Sequence, residues 1–307
     1  MKQQRPLLGF AFALITAIAW GTSPIATQQV MAVMNAQTLV WFRFLAAALG
    51  LLFILVFTKK LPNLAACRKK DFGLLILGVL GLSANFFLFA QALYYISPTT
   101  NQVLWLLAPF TMILLGVFLF NEKFGFFQKL GSSLLILGLI AFFNDKFSEI
   151  LQLNTYTLGI LFSIGASFVW VVYALAQKLL LAQFKAQQAL MLIYFGCAIT
   201  MFPFSAPLQI TNIEGGFLWA CFIFCCLNTV IGYGAYSEAL NYWDTSKVSV
   251  VTTMLPIFTM IFSLIGHYFF PDIFVEPDMN WISYIGAFVV VTGAILAISG
   301  DKLFRRI

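Results

Sequence analysis

The sequence predicts an all-α integral membrane protein with ten transmembrane helices in two inverted five-helix repeats. Three observations lead to this prediction: the apolar composition, the lengths of the apolar runs, and matches between the two halves of the chain. Of 307 residues, 62% are hydrophobic and only 9% are charged. A soluble domain has roughly 45–50% apolar and about 25% charged residues. A chain this apolar has too little polar surface to cover itself in water, so lipid is its expected solvent.

The apolar runs are long enough to cross a bilayer. A helix needs about 20 residues, at 1.5 Å of rise each, to span a hydrocarbon core of roughly 30 Å. The predicted spans 1 to 10 lie near residues 7–30, 37–57, 72–95, 99–120, 127–143, 158–181, 188–204, 217–241, 247–269 and 281–299. The connections are mostly short, so neighbouring helices are expected to run antiparallel.

The positions of Lys and Arg predict which side of the membrane each connection faces, because basic residues concentrate in cytoplasmic loops. With the N-terminus in the cytoplasm, fifteen of the seventeen basic residues fall on that side. Lys146 falls outside, and Arg43 lies within span 2. Both termini are therefore predicted to be cytoplasmic. The net charge of +6 then reflects topology and not a nucleic-acid partner.

The two halves of the chain resemble each other. Pro109 follows Ala92-Leu93-Tyr94-Tyr95 by fourteen residues, and Pro256 follows Ala239-Leu240-Asn241-Tyr242 by the same distance. Further matches, in the same order and at offsets within 147 to 155, pair Gly9 with Gly159, Trp20 with Trp170, Gly131 with Gly286 and Gly138 with Gly293. A first repeat over 1–145, an extracytoplasmic linker over 146–157 and a second repeat over 158–307 are predicted. Because each repeat has an odd number of spans, the second is inverted.

Several of these segments together carry a family resemblance. They are Ala19-Trp20-Gly21-Thr22-Ser23-Pro24, Arg43-Phe44-Leu45-Ala46-Ala47, Ala92-Leu93-Tyr94-Tyr95 through Leu107-Ala108-Pro109, Asn121-Glu122-Lys123, and the Gly131/Gly138 pair. Over nearly the whole chain this pattern resembles the ten-helix EamA-type branch of the drug/metabolite transporter superfamily. The family often has Gly where Asn121 stands, and the second-half counterpart of Glu122 falls at Phe269 or Phe270.

The resemblance and the inverted repeat imply the same function, since inverted repeats suit alternating access to a central site. The expected function is a secondary transporter that exports a small metabolite, such as an amino acid or a related amphipathic solute. The expected location is the bacterial inner membrane. The expected partners are the solute and membrane lipids, with the protein a monomer or homodimer. A lipid flippase or scramblase on the same scaffold is the alternative.

A membrane-embedded enzyme is the third class, and the sequence argues against it. Catalysis needs an acid/base pair, an activated nucleophile or a metal cluster, whereas His267 and Glu238 are predicted near opposite membrane faces. The cysteines, at 67, 197, 221, 225 and 226, share no metal-ligand spacing with His or acidic residues. No metal, cofactor or disulfide is expected.

The resemblance implies a cavity ringed by spans 1, 3, 4, 6, 8 and 9, and polar or aromatic residues of these spans are its candidate lining. They are Trp20, Ser23, Asn85, Asn101, Trp105, Trp170, Tyr173, Tyr233, Tyr236 and Thr252. Neighbouring polar candidates on the same spans include Gln102 and Asn228. The alternative is that the hydroxyl groups bond to local backbone and the aromatic rings pack or face lipid.

Three prolines are candidate gate or kink sites, because proline cannot donate to the carbonyl four residues earlier. Pro109 and Pro256 lie near mid-membrane at equivalent positions of the repeats, and Pro24 lies nearer the outer face. Two charged residues are candidate coupling or charge sites. Glu238 could carry a proton. Arg43 could bind a substrate carboxylate or phosphate, although it lies on span 2, outside the implied ring, which favours a structural role.

Overall fold

The protein was described by a computed structural model that covers residues 5–63, 67–120, 125–243, 245–274 and 279–304. The segment Asn121-Glu122-Lys123, part of the family resemblance, lies outside these residues. The described helices are α1 (Pro6–Val30), α2 (Ala36–Phe57), α3 (Lys69–Ala92), α4 (Pro98–Trp105), α5 (Leu107–Phe120), α6 (Phe126–Phe142), α7 (Phe147–Leu151), α8 (Thr155–Leu180), α9 (Ala186–Met201), α10 (Gly215–Tyr242), α11 (Thr245–Thr252), α12 (Leu255–Phe269) and α13 (Trp281–Phe304).

The prediction of an all-helical, multi-pass membrane protein is confirmed. Eight helical segments of the described chain are long and apolar enough to cross a membrane, among them the stretch Lys247–Phe269 that includes most of α11 and all of α12. Helix α6 is also apolar but has only 17 residues. Helices α4 and α5 have 8 and 14 residues, so neither reaches the spanning length alone. The count of ten spans therefore stays a prediction.

Side-chain caps explain where several helices begin. The side chains of Asn35 and Ser97 accept hydrogen bonds from backbone N–H groups at the starts of α2 and α4, and Asn154 does so at α8. Such caps satisfy donors that the first helical turn leaves unpaired. The caps therefore fix the residues at which these three helices begin.

The helix contacts occur in pairs that relate one half of the chain to the other. Helix α1 packs along α10, and its counterpart α8 packs along α3, the counterpart of α10. Helix α2 packs against its own counterpart α9, and α6 against its own counterpart α13. Equivalent helices of the two sequence repeats therefore make equivalent packing contacts in the bundle.

Paired glycines bring α6 and α13 into backbone contact. A Cβ atom built on Gly293 would lie 2.7 Å from the carbonyl oxygen of Gly131, and one built on Gly138 would lie 3.0 Å from the carbonyl oxygen of Gly286. The earlier glycine of α6 meets the later glycine of α13, so the two helices run antiparallel. Small residues of this kind let membrane helices approach closely.

Two spans are interrupted at matching places. Helix α4 ends at Trp105 and α5 begins at Leu107, two residues before Pro109. Helix α11 ends at Thr252 and α12 begins at Leu255, with Pro256 in its first turn. Helix α1 continues through Pro24 without interruption. The two breaks follow from the missing N–H groups of Pro109 and Pro256. Pro24 lacks the same group, but α1 is not broken there.

The glycine contact predicts an asymmetric response to added methyl groups. Gly293→Ala should lower the free energy of unfolding by about 1–3 kcal/mol, because its Cβ would meet the backbone of α6 and overpack the interface. Gly73→Ala on α3 is the matched control, since a Cβ there would meet nothing within 4 Å. Thermal unfolding of both purified variants measures the difference. Equal stability of the two would contradict the close α6–α13 packing.

Candidate functional site

A cavity lies among the helices, near the middle of several of them. Its volume is about 80 Å³. The lining residues are Trp20, Ser23, Pro24, Arg43, Asn85, Phe86, Phe89, Ala90, Gln102, Trp105, Trp170, Asn228, Thr229, Tyr233 and Leu255. They come from α1 to α4 of the first half and from α8, α10 and α12 of the second. The cavity therefore has room for a small solute between the halves.

Aromatic rings form much of the cavity wall. The Trp20 ring lies 4.9 Å from that of Tyr233, between ring centroids, and the Trp105 ring lies 5.4 Å from that of Trp170 in an edge-to-face arrangement. Tilted and edge-to-face contacts at these distances are favourable for aromatic pairs. The wall is thus suited to the apolar part of an amphipathic molecule.

Neighbouring side chains satisfy backbone carbonyls near the helix interruptions. The carbonyl of Trp20, which Pro24 cannot bond, accepts a hydrogen bond of 2.9 Å from Gln102 Nε2. The carbonyl of Leu104, just before the end of α4, accepts one of 3.1 Å from Ser167 Oγ. Side chains of adjacent helices commonly perform this role at proline sites in membranes. These bonds give both carbonyls a partner within the protein, so neither carbonyl needs a water molecule as its donor.

Arg43 lies on this cavity and is 8% exposed. Its Nε donates to Thr229 Oγ1 at 3.2 Å, Nη1 to Thr27 Oγ1 at 3.4 Å and Nη2 to Ser23 Oγ at 3.3 Å. Its guanidinium carbon also lies 4.7 Å from the centre of the Phe86 ring. All four partners are neutral, so the cavity carries a positive charge.

Two asparagines face the cavity in different states. Asn85 Nδ2 donates to the carbonyl of Ala166 at 2.9 Å. Asn228 is 2% exposed, and neither its Nδ2 nor its Oδ1 has a hydrogen-bond partner. A buried amide without partners costs stability, so Asn228 is the polar group most available to a bound molecule.

The structure brings together six of the ten predicted lining residues: Trp20, Ser23, Asn85, Trp105, Trp170 and Tyr233. Arg43 and Pro24 join them, although Arg43 was expected outside the ring of helices. Its long side chain reaches from α2 to hydroxyls on α1 and α10, which explains the difference.

The other four predicted lining residues lie behind or beside the wall. Asn101 is fully buried, donates to the carbonyl of Phe89 and accepts a bond of 2.6 Å from Ser163 Oγ. Tyr173 is buried 6.4 Å from the Tyr233 ring, and Tyr236 supports Trp20 at 5.5 Å, both between ring centroids. Thr252 donates to the carbonyl of Val248 in its own helix.

The remaining candidates also lie off the lining. Glu238 accepts a bond from Asn241 Nδ2 at 3.5 Å, near the end of α10. Pro109 and Pro256 follow the breaks, while their neighbours Trp105 and Leu255 line the cavity. Among the described residues, no group of three His, Cys, Asp or Glu side chains could hold a metal ion.

Sequence reasoning missed Thr229, Phe86, Phe89, Ala90 and Leu255 as lining residues. Phe86 and Phe89 look like any lipid-facing or packing aromatic residue in an apolar helix. Thr229 follows Asn228, and two adjacent polar residues in mid-span were the available signal. The sequence identified Arg43 but could not show its partners. Only the structure shows that its side chain meets hydroxyl groups of α1 and α10.

Comparison with known proteins supports a transporter. A model of the EamA-like transporter family matches residues 7–144 and 157–299. A Haemophilus influenzae protein named an uncharacterized transporter is 52% identical over 99% of this chain and 98% of its own length. The Escherichia coli K12 protein named an uncharacterized inner membrane transporter, YhbE, is 43% identical over 99% of this chain and 95% of its own.

More distant similarities cover nearly the same length. An Escherichia coli K12 protein named a probable amino-acid metabolite efflux pump is 21% identical over 94% of both chains. A crystal structure of another protein, 16% identical, has a TM-score of 0.67 over 99% of this chain and all of that one, which shows a shared fold. The predicted resemblance, and a transporter rather than an enzyme, are confirmed. The chain belongs to the EamA-like transporter family.

Proposed function

We propose that this protein is a secondary transporter that exports a small amphipathic metabolite across the bacterial inner membrane by alternating access. The observation that carries the proposal is the position of the cavity: helices of both halves wall it, and its residues on α1, α8 and α10 lie near the middle of those helices. A site between two opposed repeats can open to either side as the repeats exchange conformations. The inner membrane location is supported by the name of the Escherichia coli relative.

The proposed architecture has ten spans in two inverted repeats, over 1–145 and 158–307, joined by the linker 146–157. Helices α4 with α5, and α11 with α12, each form one interrupted span, and α6 forms a short one. The antiparallel packing of α6 on its counterpart α13 supports inversion, because equivalent helices of inverted repeats point in opposite directions. The distribution of basic residues supports cytoplasmic termini.

The helix interruptions are the proposed gating elements. Trp105 ends α4 and Leu255 begins α12, so each break adjoins a residue of the cavity wall. A small rotation of α5 relative to α4, or of α12 relative to α11, would move that wall. Pro24 acts through the carbonyl of Trp20, which Gln102 of α4 binds.

An amino acid or a related metabolite is the proposed solute. The aromatic wall, the buried polar groups and the name of the distant efflux relative support this class. The central cavity, walled by α1 and α10 as well as α3 and α8, suits a solute better than a lipid.

Solute counterflow in proteoliposomes tests the function. The protein should exchange at least one member of a metabolite panel. Trp105→Ala or Trp170→Ala should raise the solute concentration needed for half-saturation about two- to tenfold, because an aromatic contact is worth about 0.5–1.5 kcal/mol. Trp219→Ala is the control, since this ring is 39% exposed on α10 and does not line the cavity. Absence of flux with folded protein, or insensitivity to both cavity variants, would overturn the proposal.

Cysteine labelling tests the proposed orientation. In a chain whose five cysteines are replaced, Gln152→Cys should react with a membrane-impermeant maleimide from outside intact cells stripped of their outer membrane. Lys60→Cys should react only after permeabilisation, because it follows α2 on the predicted cytoplasmic side; both positions are exposed. The reverse pattern would show that the topology is inverted.

A further inference from the structure

The charge of Arg43 has no counterion within the described residues. The ion pairs there, Arg68 with Asp71 and Lys146 with Glu149, lie at the start of α3 and around α7. Every hydrogen-bond acceptor of Arg43 is a Ser or Thr hydroxyl. The guanidinium has five N–H donors, so two remain after these three bonds.

A buried cation of this kind is costly unless an anion joins it. Arginine does not lose its proton in proteins, and an unpaired charge within a membrane span is strongly unfavourable. Hydroxyls and the Phe86 ring offset part of that cost. A carboxylate entering the cavity would offset more, because it can accept two parallel bonds from one guanidinium.

Asn228 adds a second, independent recognition element. Asn228 is 2% exposed and is one of the lining residues, and its amide has neither a donor nor an acceptor partner. The next residue, Thr229, accepts the hydrogen bond from Arg43 Nε. The unpaired amide of Asn228 and the Arg43 guanidinium therefore lie at the same wall of the cavity. An amide both donates and accepts, so it fits a neutral polar group such as a hydroxyl, carbonyl or amide.

The remaining wall selects by charge. Arg43 is the charged member of the cavity lining, and no carboxylate stands among the lining residues to bind an ammonium group. Three tryptophan rings, two phenylalanine rings and the Tyr233 ring supply its aromatic surface. A single cation balances one negative charge. Of the proposed solutes, a monoanionic metabolite therefore fits this cavity better than a zwitterionic amino acid, and a cationic solute does not fit.

We infer that the cavity binds a monocarboxylate with a neutral polar group and an apolar, preferably aromatic, body, held by the Arg43 guanidinium and the Asn228 amide. This deepens the proposed transport function and rests on it for its biological meaning. The carboxylate sits on the two free N–H groups of Arg43. The apolar body lies against Trp105 and Trp170.

Charge-matched probes test the inference on the purified full-length protein. Indole-3-acetate, indole-3-acetamide and tryptamine have similar shapes and carry a negative, zero and positive charge. Indole-3-acetate should raise the unfolding temperature in a dose-dependent manner, with an apparent affinity at least about tenfold above that of the other two. Equal or stronger stabilisation by tryptamine or the amide would overturn the inference.

Arg43 variants then assign the charge preference. Arg43→Gln keeps hydrogen-bond donors but removes the charge, so it should abolish the preference for indole-3-acetate over its amide. Arg43→Lys should retain part of it, because the charge stays while the bidentate fork is lost. An unchanged preference in folded Arg43→Gln would contradict the assignment.

Asn228 provides a test that does not depend on how Arg43 variants fold. Asn228→Leu should raise the unfolding temperature of the ligand-free protein, since it removes two unsatisfied polar atoms, and should weaken indole-3-acetate binding. Asn85→Leu is the matched contrast. It should lower that temperature, because it removes a buried hydrogen bond of 2.9 Å to the carbonyl of Ala166. Destabilisation by Asn228→Leu, or undiminished binding, would count against a ligand role for Asn228.

The two proposals fail in different ways. If the probe binds with the expected charge preference but shows no counterflow, the carboxylate site is supported and the transport proposal is contradicted. Counterflow of cationic or neutral solutes without carboxylate binding would preserve transport and overturn the carboxylate site.

Discussion

The structure depends on one constraint: lipid cannot hydrogen-bond, so polar groups inside the bundle need partners inside the bundle. The bundle meets this constraint at its least regular points. Gln102 binds the carbonyl that Pro24 leaves free, and Ser167 binds one at the end of α4. Three hydroxyls surround the Arg43 guanidinium. Against this background, the unpartnered amide of Asn228 and the uncompensated charge of Arg43 stand out as places where the protein alone does not complete the bonding.

The symmetric packing gives this local arrangement a functional setting. Helices α6 and α13, joined by their glycines, and α2 and α9 each pair an element with its own counterpart. The cavity lies between α1, α3, α8 and α10, which pair across the halves. Because all four of these helix pairs join the two halves, movement of one half relative to the other would reshape the site. In the proposed mechanism, this movement occurs at the interruptions beside Trp105 and Leu255.

The sequence predicted the features that depend on local chemistry. Apolar length located the eight helical segments that are long enough to cross a membrane. Pro109 and Pro256 located the interruptions, and the spaced glycines of α6 and α13 matched residues that meet in the fold. It could not predict which face of a helix meets the cavity. Membrane helices here are apolar on all sides, so polarity does not mark an inner face as it does in a soluble helix. Asn101 therefore seemed equivalent to Trp105, yet it points to Ser163 of α8. Arg43 reaches the cavity only because its side chain is long.

The most direct test of the central claim, that the cavity between the halves is an anion-binding substrate site, is to locate a bound molecule. Anomalous diffraction from crystals grown with 5-bromoindole-3-acetate would show the position of the bromine, and the density would show the carboxylate. The account predicts a carboxylate about 3 Å from the Arg43 guanidinium nitrogens, with the bromoindole ring against Trp105 and Trp170. A ring bound only at the lipid-facing surface, or a carboxylate turned away from Arg43 within the cavity, would contradict it.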